Sequence, residues 1–196
     1  MGKIKYIDKV REFFKINPVV SISSIKKFIN KKEKDYVYLL VNNLLKKNEI
    51  KRITKSFYTI YEDTSLIVFC FKPSYLGLQD ALSIHNLWEQ ETNPIVITTK
   101  KVRNGVRKVF GNNAILRRIS PRYFFGFEYK KDGDFYFPVS DIEKTLIDLV
   151  YFRQSIDKET IKEIKKRIDR KKLNSYLIKY PKRTRTRVLK VLNNTK

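Results

Sequence analysis

Asn42, Asn43 and Lys46 fall on one side of a helical stretch, and these side-chain types can read a duplex. An asparagine amide carries a donor and an acceptor that match adenine N6 and N7 in the major groove, while a lysine reaches guanine or phosphate. Lys34, Tyr36 and Tyr38 stand at the leading end of the same stretch, the part of a recognition helix that enters a groove deepest. Lys51, Arg52 and Lys55 follow shortly after it and form a cluster suited to phosphate oxygens. Near the other end of the chain, Arg183, Arg185 and Arg187 alternate with threonines and form a second cationic group.

The elements that must position these groups can be read from apolar spacing. Val37, Leu40, Val41, Leu44 and Leu45 recur at helical intervals and predict a helix over residues 35–47, with the two asparagines and Lys46 turned away from its core stripe. Leu39 also faces outward, where it would meet a thymine methyl or another domain. Tyr6, Ile7, Val10, Phe13 and Phe14 predict an earlier helix, which Asn17-Pro18 ends because a residue before proline is driven from the α region. Residues 20–22 suit a small strand. Ser21 or Ser23 can then cap a second helix carrying Ile25, Phe28 and Ile29. Residues 50–54 and 57–61 are β-prone, with Lys55-Ser56 as a two-residue loop. Three helices followed by a basic hairpin is the layout of a winged helix-turn-helix, expected over residues 1–61. The plainer alternative is a small helical domain whose lysines are merely solvated.

Charge distribution supports a polyanionic partner at both ends. Residues 1–61 hold 15 Lys and Arg against 5 Asp and Glu, and residues 153–196 hold 16 against 4. Residues 62–152 hold 12 against 11, so the middle is nearly neutral although the chain as a whole carries +23. Nucleic acid is the first candidate, since phosphate neutralisation supplies most non-specific affinity. The 42% hydrophobic content over 196 residues is ample for a core. No signal peptide and no apolar stretch of membrane-spanning length is evident, and a cytoplasmic protein with no membrane partner is expected. The single cysteine, Cys70, reads as a small core residue.

In the middle of the chain, residues 62–65 read as a linker and the apolar run 66–71 as a buried strand. A helix is expected after Pro73, with Leu78, Ala81 and Leu82 on one side. Strands are expected at 94–99, 106–110, 114–119 and 135–138, and then a long helix from Ser140. Ser140 and Glu143 are spaced as a capping box. The expected fold class is α+β: a winged helix-turn-helix, then over residues 66–196 a mixed α+β domain with a basic helical end at 153–196.

Four segments of this body resemble the AbiEi-type antitoxin family of type IV toxin–antitoxin systems. They are Tyr75-Leu76-Gly77-Leu78-Gln79-Asp80-Ala81-Leu82-Ser83-Ile84-His85-Asn86-Leu87, the strand Ile95-Val96-Ile97-Thr98-Thr99-Lys100, the stretch from Ile119 to Phe125-Gly126, and Pro138-Val139-Ser140-Asp141-Ile142-Glu143-Lys144-Thr145-Leu146-Ile147-Asp148-Leu149. With the N-terminal layout, the resemblance covers about residues 5–152. It departs at Asn86, where relatives carry glycine, and at Ser56-Phe57, where the wing reads Gly-x-Tyr. The resemblance implies a transcriptional regulator that binds operator inverted repeats of double-stranded DNA, represses its own operon, and counters a cognate nucleotidyltransferase-type toxin where one exists. Operator sequence and oligomeric state are not implied.

Residues 157–168, 172–180 and 184–192 read as three C-terminal helices. Their outer faces carry Lys162, Lys165, Lys166, Arg167, Arg170, Lys171, Lys172 and Lys182 beside the three arginines. A second nucleic-acid surface is the favoured reading of that density, with an acidic protein partner or a solvated face as alternatives. No enzyme is expected. No phosphate-binding glycine loop is present, the single histidine, His85, cannot build a triad, and no cofactor or metal is called for. The competing readings are a metal-dependent nuclease built on Asp132, Asp134, Asp141 and Glu143, and an RNA-binding accessory protein. Against the nuclease, Glu143 directly abuts Lys144, whereas restriction-type nucleases need one residue between acid and lysine.

Overall fold

The computed structural model of the chain describes residues 5–30, 34–90 and 92–193. They form a mixed α+β fold that divides into two units, residues 1–70 with 108–113, and residues 71–107 with 114–196.

The first unit contains α1 (Ile7–Ile16), β1 (Val20–Ser21), α2 (Ile22–Phe28), α3 (Lys34–Lys46), β2 (Lys51–Thr54) and β3 (Phe57–Thr59). Ile7, Val10 and Phe14 from α1, Ile25 from α2, and Val37, Leu40, Val41 and Leu44 from α3 meet in one core. Asn17 turns extended and its side-chain amide donates to the Phe13 carbonyl, closing α1 ahead of Pro18. Ser21 is the cap of α2, its hydroxyl accepting from the Ser24 amide at 3.0 Å. Asn48 adopts a left-handed conformation after α3 and Glu49 N–H returns to the Leu44 carbonyl, which turns the chain into β2. The strands order β1-β3-β2, all antiparallel, with Lys55 and Ser56 forming the expected two-residue loop.

A 3₁₀ turn, Thr64–Phe71, replaces the strand expected at 66–71. Leu66, Ile67, Val68 and Cys70 are all buried, so no alternation of faces exists to favour a strand.

The second unit is built on β4 (Ser74–Leu76), α4 (Leu78–Ile84), β5 (Ile95–Thr98), β6 (Gly105–Val109) and β7 (Asn112–Arg118) apart from residues 108–113, then β8 (Phe127–Asp132), β9 (Phe135–Ser140) and α5 (Ile142–Tyr151). A short 3₁₀ turn, Pro121–Tyr123, lies between β7 and β8. Three further helices follow: α6 (Lys158–Arg167), α7 (Arg170–Leu177) and α8 (Lys182–Asn193). The sheet runs β6-β7-β5-β4-β9-β8, with β4–β9 and β5–β7 parallel and β4–β5 and β8–β9 antiparallel. Helix α5 is its hub: it contacts α4, α6, α7 and α8, and every residue from Glu143 to Leu149 is buried. No helix among the described residues is long and apolar enough to cross a membrane.

Candidate nucleic-acid interface

Helix α3 presents two different sides. The inner side is fully apolar, while Asn42 and Lys46 are exposed and Leu39 is 51% exposed beside them. Asn43 is half-buried and spends one of its two amide N–H donors on the Leu39 carbonyl at 2.9 Å. Tyr36 and Tyr38, expected at the leading end of a groove-reading helix, instead pack partly against the core. Tyr36 also donates its hydroxyl to the Lys5 carbonyl and stands edge-on to Tyr6. Lys34 opens α3, but its side chain lies outside the described residues.

On the hairpin, Arg52 and Lys55 are exposed, Lys55 at the loop itself. Arg52 lies over the Tyr58 ring at 5.7 Å. Lys51 forms an ion pair with Glu62, which offsets part of its charge. The hairpin's outward charge therefore rests mainly on Arg52 and Lys55. Beneath it, Arg11 donates to both carboxylate oxygens of Glu49, at 2.6 and 2.7 Å, and ties α1 to the turn that opens β2. That hydrogen-bonded pair holds the Glu49 carboxyl below the ordinary carboxylate range.

In the second unit the cations separate by role. Lys172 bridges Asp141 at 3.0 Å and Glu143 at 3.2 Å, and Arg167 donates to the carbonyls of His85 and Asn86. Lys166 pairs with Glu163, and Arg185 donates to the Tyr180 carbonyl at 2.8 Å. Lys172, Arg167 and Arg185 thereby tie elements of the unit together, while the exposed Lys166 pair stays within α6. Arg183 and Arg187 are exposed, one turn apart on α8, and line a concavity shared with the end of α5 and the start of α6.

The acids considered for metal chemistry also have occupations. Asp141, not Ser140, caps α5, accepting from the Lys144 amide at 2.8 Å and from the Tyr176 hydroxyl. Glu143 accepts from the Asp169 amide instead of returning to a cap, so the expected capping box does not form. Asp132 and Asp134 are exposed at the β8–β9 turn. Among the described residues no three His, Cys, Asp or Glu side chains gather as a metal site.

Beneath this surface lies a buried ionic triad. Lys144 pairs with Asp148 one turn along α5, and the Tyr75 hydroxyl donates to the other carboxylate oxygen of Asp148 at 2.6 Å. The ammonium is surrounded by the rings of Tyr75, Phe125 and Tyr180. Burial raises the Asp148 carboxyl and lowers the Lys144 ammonium, outweighing their mutual attraction. Gly126 is needed for this packing: its φ is +70°, and a Cβ there would lie 2.8 Å from Tyr176 and 3.0 Å from Lys144.

No protein-family model and no curated protein matches the chain. Among solved structures, the fold is similar to that of the Rv2827c protein from Mycobacterium tuberculosis, with a TM-score of 0.61 over 96% of this chain and 75% of that one. The two share 9% sequence identity, so the likeness is one of fold.

Proposed function

We propose that this chain is a cytoplasmic, sequence-specific double-stranded-DNA-binding transcriptional regulator of the AbiEi antitoxin type, whose first unit acts as a winged helix-turn-helix. One observation carries the reading: the outward side of α3 joins an amide, a cation and an exposed leucine at Asn42, Lys46 and Leu39. Those three chemistries suit an adenine edge, a guanine or phosphate, and a thymine methyl. Arg52 and Lys55 on the hairpin would add phosphate contacts that fix register without reading sequence. Such a protein would repress its own operon from inverted repeats and, beside a nucleotidyltransferase-type toxin gene, counter that toxin. The reading rests on the first unit alone.

Mobility-shift competition with the fragment upstream of its own gene tests it. Asn42→Ala should narrow the gap between that fragment and a scrambled one by about 1–3 kcal/mol, whereas Lys55→Ala should weaken both alike. Discrimination that survives Asn42→Ala unchanged removes α3 as the reading helix.

A further inference from the structure

The concavity beside α8 has a composition that a duplex surface does not require. Its volume is about 700 Å³, within the range that holds a drug-sized ligand. Arg153, Lys158, Arg183, Arg187 and Lys190 line it, and among the described residues no carboxylate does. The neighbouring Asp157 is turned back onto α6, accepting from the Thr160 amide at 2.8 Å and its hydroxyl at 2.6 Å. Val150, Ile156, Ile161 and Val191, all less exposed than the cations, make an apolar floor, and Gln154 and Ser155 complete the lining.

Helix α5 ends beside this concavity. Gln154 N–H returns to the Leu149 carbonyl at 2.8 Å and Arg153 N–H to the Val150 carbonyl, a closure that places the penultimate position in the left-handed region. Glycine is the ordinary occupant there, yet Arg153 holds it at φ 56°. The Arg153 side chain leaves this closure to line the concavity.

We propose that this concavity is a binding site for a nucleotide, its phosphates held by the five cations and its base laid on the aliphatic floor. Convex phosphate rails would need the cations but not the floor. A fatty acid would need the floor but not five positive charges. A nucleoside triphosphate uses both, and Gln154 and Ser155 offer donors and acceptors to a base edge. The site lies wholly within the second unit, so it stands or falls separately from DNA reading by α3.

The test is fluorescence titration of the full chain with methylanthraniloyl-labelled ATP, using tripolyphosphate and adenosine as competitors. ATP should displace the probe at least about tenfold better than either fragment, and Arg183→Gln/Arg187→Gln should weaken probe binding by about tenfold or more. Lys171→Gln, an exposed cation outside the concavity, should leave it unchanged. Arg153→Gly separates function from folding: it should raise the melting temperature by about 2–4 °C while weakening the nucleotide. Tripolyphosphate competing as well as ATP would show a cation patch without a base site and overturn the proposal. So would a double variant that loses duplex-DNA affinity and keeps the nucleotide, because the arginines would then belong to DNA.

Discussion

Replacing Lys144 by methionine removes the ammonium from the triad that anchors α5, and the structure fixes what should follow. Lys144 and Asp148 are both fully buried. Without the ammonium, the carboxylate keeps only the Tyr75 hydroxyl, and a stranded buried charge costs about 3–5 kcal/mol. Burial already favours the protonated acid, so the variant should recover part of that loss at acid pH and lose more as pH rises through the raised Asp148 pKa. Lys144→Met/Asp148→Leu removes both charges but orphans the Tyr75 hydroxyl, leaving about 1–3 kcal/mol. Adding Tyr75→Phe completes an apolar replacement and should return stability to within about 1 kcal/mol of the parent. The assay is urea unfolding followed by Trp88, the single tryptophan, which lies in the second unit. At a slope of about 2 kcal/mol per molar, the single variant's midpoint should fall by roughly 2 M. A midpoint equal to the parent's for Lys144→Met, or a triple variant as unstable as the single, refutes the reasoning.

The remaining predictions concern the two units separately. Glu49→Gln should lower the urea midpoint at neutral pH by breaking the bidentate contact with Arg11. Because the Glu49 carboxyl is depressed below its ordinary 4.5, the gap from the parent should be full above pH 4.5 and close as pH falls through the depressed value. His85 lies 2.7 Å through Nε2 from the Ser140 carbonyl and 2.9 Å through Nδ1 from the Lys130 ammonium, an arrangement for the neutral ring with its proton on Nε2. Burial lowers its pKa below 6.5, so its NMR titration should fall below that value, and its contribution to stability should be present above pH 6.5 and be lost on acidification. Ser56 sits at φ 67° in the hairpin loop, and Ser56→Gly should raise stability by about 1 kcal/mol, read as a shift in thermal midpoint.

Helix α3 was legible because its buried residues repeat at helical spacing, and that period also assigns Asn42 and Lys46 to the outer side. Asn43 was less so: one of its two donors goes to its own helix backbone, which spacing cannot show. From Leu66 to Phe71 burial on nearly every side erases the periodicity that separates strand from helix, so the run forms a 3₁₀ segment where composition suggests a strand. Strand β8 shows no apolar alternation because its sequence, Phe-Glu-Tyr-Lys-Lys-Asp, is largely polar and sits at the sheet edge, although the two-residue loop Gly133-Asp134 after it is a hairpin signal. Ser140 and Asp141 are both good caps, and only the fold decides that Asp141 takes the role while Lys172 and Tyr176 hold it. Ser56 and Asn86 both occupy left-handed conformations, which neither residue type alone announces. The concavity beside α8 could not be read in advance, because it joins residues 150–161 to 183–191 only through tertiary packing.

Salt titration of binding to the chain's own upstream DNA, by fluorescence anisotropy, decides whether α3 reads a duplex that the cations grip. The account predicts that affinity falls steeply with salt, at about −0.9 in log–log slope per phosphate contact. It further predicts that Asn42→Ala keeps the slope while losing preference for that fragment over a scrambled one, and that Lys55→Ala makes the slope shallower by about one. Association that ignores salt, or a preference indifferent to Asn42, would contradict it.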